Sequence, residues 1–150
     1  MPDTIRRMTG TMLITFVSLL LLPALPAGAE YQVDGDVVAD SETGLMWMQS
    51  DAGEEKNWQE ALAYCQKLNL HGYTDWRLPD LNELESLVDY TRFDPAIDPV
   101  FSCRSKEYWS SSPNADDFGR ASCVHFDDGI APYYYYKSDT YYVRCVRGGP

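Results

Sequence analysis

The stretch PYYYYKSDTYY places six tyrosines, Tyr133 to Tyr136 with Tyr141 and Tyr142, around one turn. Tyrosine carries a flat apolar ring and a hydroxyl on one side chain, which suits stacking on sugar rings and adaptable hydrogen bonding. Successive side chains of a strand point to opposite faces, so about half of these rings belong to a core and half to a surface. An ordinary aromatic sheet satisfies the pattern as well as a ligand platform does. His125, Asp127 and Asp128 lie close by in sequence. They could accept hydrogen bonds from sugar hydroxyls, although Asp128-Gly129 is first of all a turn signal. The candidate ligand-facing residues are Arg77, Trp109, His125, Asp127, Tyr134, Tyr136 and Arg144.

Other chemistries find less support. Ser110, Ser111 and Ser112 share the chain with His125 and several aspartates. There is no G-x-S-x-G elbow and no second candidate base, so no catalytic residue is assigned. The chain has no C-x-x-C, and its two histidines, His71 and His125, are far apart. A Cys/His metal site is therefore not expected, and neither is a cofactor. Asp89, Asp94 and Asp98 could hold a structural calcium, but solvated carboxylates are the simpler reading.

These residues need elements to position them. Asp34-Gly35 and Thr43-Gly44 are turn signals among short apolar runs at Val37, Val38, Leu45 and Trp47, which suggest strands. Asn57 and Glu60 form a capping-box pair ahead of Trp58, Ala61, Leu62, Cys65 and Leu68 at helical spacing. Asp80 and Glu83 repeat the pattern ahead of Leu81, Leu84, Leu87 and Val88. Pro79 cannot continue a helix and holds Leu78 extended, which leaves Trp76 and Arg77 as a scaffold corner or a ligand contact. EYWSSS, RASCVHF, IAPYYYY and TYYVRCVR are rich in aromatic and β-branched residues and read as an antiparallel meander, with turns at 127–129 and 137–139. The order of short strands, two helices and further strands argues for an α+β class.

The chain has 150 residues, enough for one domain. Arg6 and Arg7, the run TMLITFVSLLLL and AGA ending at Ala29 fit a cleaved signal peptide over residues 1–29, leaving a domain at 30–150. The formal net charge is −11, and the leader holds Arg6, Arg7 and Asp3, so the remainder stands near −12. Such a surface repels nucleic acid and anionic lipid. All four cysteines, Cys65, Cys103, Cys123 and Cys145, follow the leader, and an even count after an export signal implies two disulfides in one of three connectivities.

TGLMW, W-x-x-A-x-x-YC, DWRLPDLNELESLV, YWSSS, FDDG and YYVRCVR occur in this order. In that combination the chain resembles the Lcl C-terminal-like domain family, over residues 32–148. The resemblance implies a variant of the C-type lectin-like fold, with two helices packed on short antiparallel strands and two disulfides, Cys65–Cys145 and Cys103–Cys123. It also implies a core role for Trp76 and a carboxylate or helix-end partner for Arg77. Calcium-dependent sugar sites of lectin-like domains use Glu-Pro-Asn or Gln-Pro-Asp with Trp-Asn-Asp, none of which is present. WRLP also resembles formylglycine-generating enzymes, but those need a reactive cysteine pair, and the implied bonds use every cysteine. Some members of the family end collagen-like bacterial adhesins and are similar to binders of sulfated glycosaminoglycans. That would need a basic patch from Arg104, Lys106, Arg120, Lys137, Arg144 and Arg147. The expectation is an exported, non-enzymatic binding module that recognises a glycan or protein at the cell surface or in the periplasm. It would not insert in a membrane once the leader is removed, and it could be an oligomer. The alternatives are an assembly module without a soluble ligand and an enzyme of the formylglycine-generating type.

Overall fold

The structure, a computed structural model, describes residues 30–148. The expected leader, residues 1–29, lies outside them. Among the described residues, seven strands and two helices follow one another. β1 (Tyr31–Asp34), β2 (Val37–Asp40), β3 (Leu45–Met48) and β7 (Val146–Gly148) form one antiparallel sheet in the order β1-β2-β3-β7. β4 (Glu107–Pro113), β5 (Arg120–His125) and β6 (Tyr133–Tyr136) form a second, in the order β4-β5-β6. The helices α1 (Trp58–Lys67) and α2 (Leu81–Glu85) lie between the sheets in sequence.

Both helices start where local chemistry dictates. Asn57 accepts from the Glu60 amide while Glu60 accepts from the Asn57 amide, and Asp80 and Glu83 do the same. Each box satisfies two amides that the helix itself cannot pair. The helices differ in how they continue. α1 runs ten residues and buries Ala61 and Cys65. α2 stops after five, because the Ser86 hydroxyl turns back to the Glu83 carbonyl and Val88 leaves to bridge Ile97. Leu84 and Leu87 are still buried, Leu87 from a turn rather than from a helix.

Two apolar cores fill the molecule. The first gathers Val37, Met48, Ala61, Cys65, Trp76, Trp109, Cys123 and Cys145, and the second Val38, Trp47, Leu84, Phe101, Tyr108, Val124 and Val146. Neighbouring residues of β2 and β3 enter different cores, so these strands are covered on both faces and read as apolar runs without alternation. Residues 140–145 are not the fourth meander strand the sequence suggests. Tyr142 bridges Tyr108 of β4 in parallel, the Tyr141 carbonyl accepts from the Lys56 amide, and the Cys145 carbonyl accepts from the Met48 amide. The segment therefore links the two sheets before entering the first as β7.

Two expectations about the fold are overturned. The molecule is mostly β, built from two antiparallel sheets with two short helices, and is not the α+β, C-type lectin-like arrangement of two helices packed on strands. α2 is too short to form a layer. Only one of the two expected disulfides is present, Cys65–Cys145, which ties α1 to the residue before β7. Cys103 and Cys123 are free thiols. Cys123 lies opposite Trp109 and faces the first core. Cys103 packs in the second core with Tyr108, which leaves β4 through the other face. The second sheet thus separates the two sulfurs.

Candidate functional site

Trp76 and Arg77 belong to the scaffold. Trp76 is buried and donates its indole N–H to the Leu70 carbonyl at 3.3 Å. The Arg77 backbone exchanges two hydrogen bonds with Val146, and its guanidinium grips Glu83 with two bonds of 2.7 and 2.6 Å. The carboxylate that closes the α2 capping box is therefore also the partner of Arg77, and that guanidinium holds the Glu83 carboxyl below its ordinary range against the opposing effect of burial.

Arg144 and Trp109 also serve the interior. Arg144 is fully buried, donates to the carbonyls of Met48, Gln49 and Ser102, and lies over the rings of Phe101 and Tyr108. Trp109 is fully buried and donates its indole N–H to the Lys56 carbonyl at 2.9 Å. Tyr136 stacks under Arg120, with the guanidinium 4.3 Å from the ring centre and bonded to the hydroxyl. Tyr134 and Tyr136 are exposed, on the face of β6 opposite to His125.

His125 and Asp127 do come together with other polar groups, at the end of the second sheet where β5 turns toward β6. Glu107 sits directly across β4 from His125. His125 Nε2 lies 2.9 Å from the Tyr135 hydroxyl and 3.9 Å from Glu107, and Nδ1 lies 3.7 Å from Asp127. The Tyr133 ring stacks on the imidazole at 4.1 Å and 26°. From there an aromatic row runs inward through Tyr135 and Tyr141, 4.6 Å apart, to Trp109, 5.0 Å beyond. Tyr133, the outer member, is 39% exposed, while the His125 side chain keeps 15% of its surface. Burial, reinforced by the Glu107 carboxylate, pushes the Tyr135 phenol above its ordinary range, so it remains an O–H group across physiological pH.

Asp128 accepts from the Ile130 amide at 3.0 Å and completes the turn. Among the described residues, no lysine or arginine forms an ion pair with Glu107, Asp127 or Asp128. The site therefore combines an open aromatic stack with three carboxylates that lack cationic partners. The wider grooves, about 580 Å³ beside Tyr64 and Lys67 and about 600 Å³ around Phe93 and Phe101, are lined by other residues.

Sequence reasoning missed Glu107, Tyr133 and Tyr135. What selects them is the register of the folded hairpin. The DDG turn closes a hairpin in which odd-numbered residues of β5 face odd-numbered residues of β6, which places Tyr133 and Tyr135 beside His125 and sends Tyr134 and Tyr136 to the other face. The basic residues that a sulfated-glycan site would need are also dispersed. Arg104 pairs with Asp51, Arg120 with Asp117, Arg147 with Asp75, and Arg144 is interior. Lys137 lies over Trp58 and donates to the Phe118 carbonyl.

The model of the Lcl C-terminal domain matches residues 36–147. The chain belongs to the Lcl C-terminal domain family. The match spans α1, α2, both sheets apart from β1 and the last residue of β7, and every residue of the His125 cluster. No curated protein matches the chain. For this Lcl C-terminal domain the family resemblance holds, while the two-helix architecture and the second disulfide attached to it do not.

Proposed function

We propose that this Lcl C-terminal domain is a non-catalytic binding module that recognises a glycan outside the cytosol. The carrying observation is the Tyr133–His125 stack, open at its outer ring and bordered by Glu107, Asp127 and Asp128. A sugar lays its apolar C–H face on Tyr133 and donates hydroxyl hydrogen bonds to the carboxylates. Their negative charge favours neutral or amino sugars over sulfated ones. The pairing of most C-terminal arginines with carboxylates supports the same preference.

Export is supported by the leader-like pattern of residues 1–29 and by the Cys65–Cys145 bond, since such bonds persist in oxidising compartments. The non-catalytic reading is supported by the separation of Cys103 from Cys123. Burial pushes the Cys123 thiol far above its ordinary range, which suits a packing role rather than nucleophilic chemistry. The test is a glycan array probed with residues 30–150 in the presence of a chelator. Neutral or amino sugars should bind and the signal should vanish with Tyr133→Ala. Silence across the array, or binding untouched by that change, overturns the reading.

A further inference from the structure

We infer that the turn between β5 and β6 binds a divalent transition-metal ion through His125, Asp127 and Asp128. One ligand atom from each of these residues lies within 4.8 Å of the other two. Ions of the zinc or manganese class hold nitrogen and oxygen ligands at roughly 2.0–2.2 Å, so two ligands of one ion stand about 3–4.4 Å apart. The 3.7 Å between His125 Nδ1 and Asp127 Oδ1 is too long for a hydrogen bond and falls inside that interval.

The other side of the imidazole is built for the role. Nε2 is held by the Tyr135 hydroxyl at 2.9 Å, with the Glu107 carboxylate 3.9 Å away. A histidine that binds metal through one nitrogen gives the proton on the other to a hydroxyl, carbonyl or carboxylate, which fixes ring and tautomer. With the proton on Nε2, the Nδ1 lone pair faces Asp127. Nδ1 makes no hydrogen bond of its own, and stacking of Tyr133 on the ring keeps the imidazole from swinging away. Two carboxylates and a bare imidazole nitrogen then converge with no cation among them, an arrangement that a divalent ion neutralises.

The turn is also pre-shaped. Gly129 donates to the His125 carbonyl, and His125 donates to the Ile130 carbonyl. From outside, the amides of Asp94 and Ala96 bond the carbonyls of Asp127 and Phe126 at 2.8 and 2.7 Å. Asp128 caps the Ile130 amide with one oxygen and has a second to offer. Little backbone ordering therefore remains when an ion arrives. The imidazole selects a first-row transition ion over calcium or magnesium, and three protein ligands leave positions for water or a ligand hydroxyl. This inference uses the same edge as the proposed glycan site but does not rest on it.

The experiment is calorimetric titration of chelator-stripped residues 30–150 with zinc or manganese chloride, without sugar. One ion per chain is expected, with affinity at least tenfold weaker in Asp127→Asn and in His125→Gln. Asp128→Asn keeps the cap on Ile130 while removing the charge. It should melt at the wild-type temperature and still bind at least tenfold more weakly. Manganese should also broaden the amide signals of Ile130 and Tyr133 and leave those around Asp75 sharp. No heat and no broadening overturns the site, as does affinity unchanged in well-folded variants. Because the glycan array is run with chelator, failure of either proposal leaves the other readable.

Discussion

Glu83 answers two demands with one carboxylate. It closes the capping box of α2 and it receives the bidentate Arg77. Glu83→Ala should destabilise the domain by about 2 kcal/mol in urea melts, the sum expected of a lost cap and a two-point ion pair. Arg77→Ala should cost about 1 kcal/mol, since its guanidinium is half-exposed, and should leave glycan binding unchanged. Asp51 also ties acid stability to structure. Burial alone would raise its carboxyl, but hydrogen bonds from Arg104, the Gly53 amide and Tyr108 outweigh this and hold it below its ordinary value. In acid the unfolded chain therefore binds this proton more readily than the native one, and stability rises with pH. The contribution is complete above roughly pH 5 and is lost as pH falls through the native value. Asp51→Asn should lose about 1–2 kcal/mol at pH 7, and its deficit against wild type should close toward pH 2 in equilibrium denaturation. The capping residues were legible in the sequence because Asn57, Glu60, Asp80 and Glu83 act within four positions. The carboxylate partner expected for Arg77 is Glu83, six residues on, whereas the partner of Asp51 was not legible, since Arg104 lies across the fold from it.

At the scale of elements, the β5–β6 turn carries the sharpest constraint. Gly129 has φ of +80°, and a β-carbon there would stand 2.4 Å from Val88 Cγ1. Gly129→Ala should therefore cost about 2–3 kcal/mol by thermal melting, combining a left-handed backbone with a collision. Adding Val88→Ala should recover only the steric part. The DDG signal foretold this turn from residue types alone, and the strands around it follow the aromatic and β-branched runs. The extent of α2 was not legible. Leu81, Leu84, Leu87 and Val88 keep helical spacing, yet Leu87 and Val88 are fixed by contacts with Ile97 and the second core rather than by a helix. The parity of the tyrosines was hidden for a related reason. Which face a strand residue takes depends on hairpin register, and the residues between Gly129 and Tyr133 leave that register open from sequence alone.

For the molecule as a whole, the sulfur inventory separates what the sequence implied from what formed. An even cysteine count suggested two bonds, but Cys123 faces the first core from β5 while Cys103, in the loop before β4, packs against the second, and both remain free. Denatured, unreduced protein should give two titratable thiols per chain, and the native protein fewer, since Cys123 is sealed in the first core. Four thiols, or none, would contradict the structure. The single bond spans 80 residues, so replacing Cys65 and Cys145 by alanine should destabilise by about 4 kcal/mol. The path of residues 140–145 has a further consequence, for biogenesis. Those residues are wedged between partners supplied much earlier, at Met48, Lys56 and Glu107. A nascent chain halted at Asp139 would have made both helices and most strands, yet would lack the strip that fastens one half to the other. Cooperative structure should therefore arise only after the final stretch has been synthesised, so that maturation is an end-loaded event. Arrested chains of increasing length should stay protease-sensitive until residue 148 is free of the ribosome.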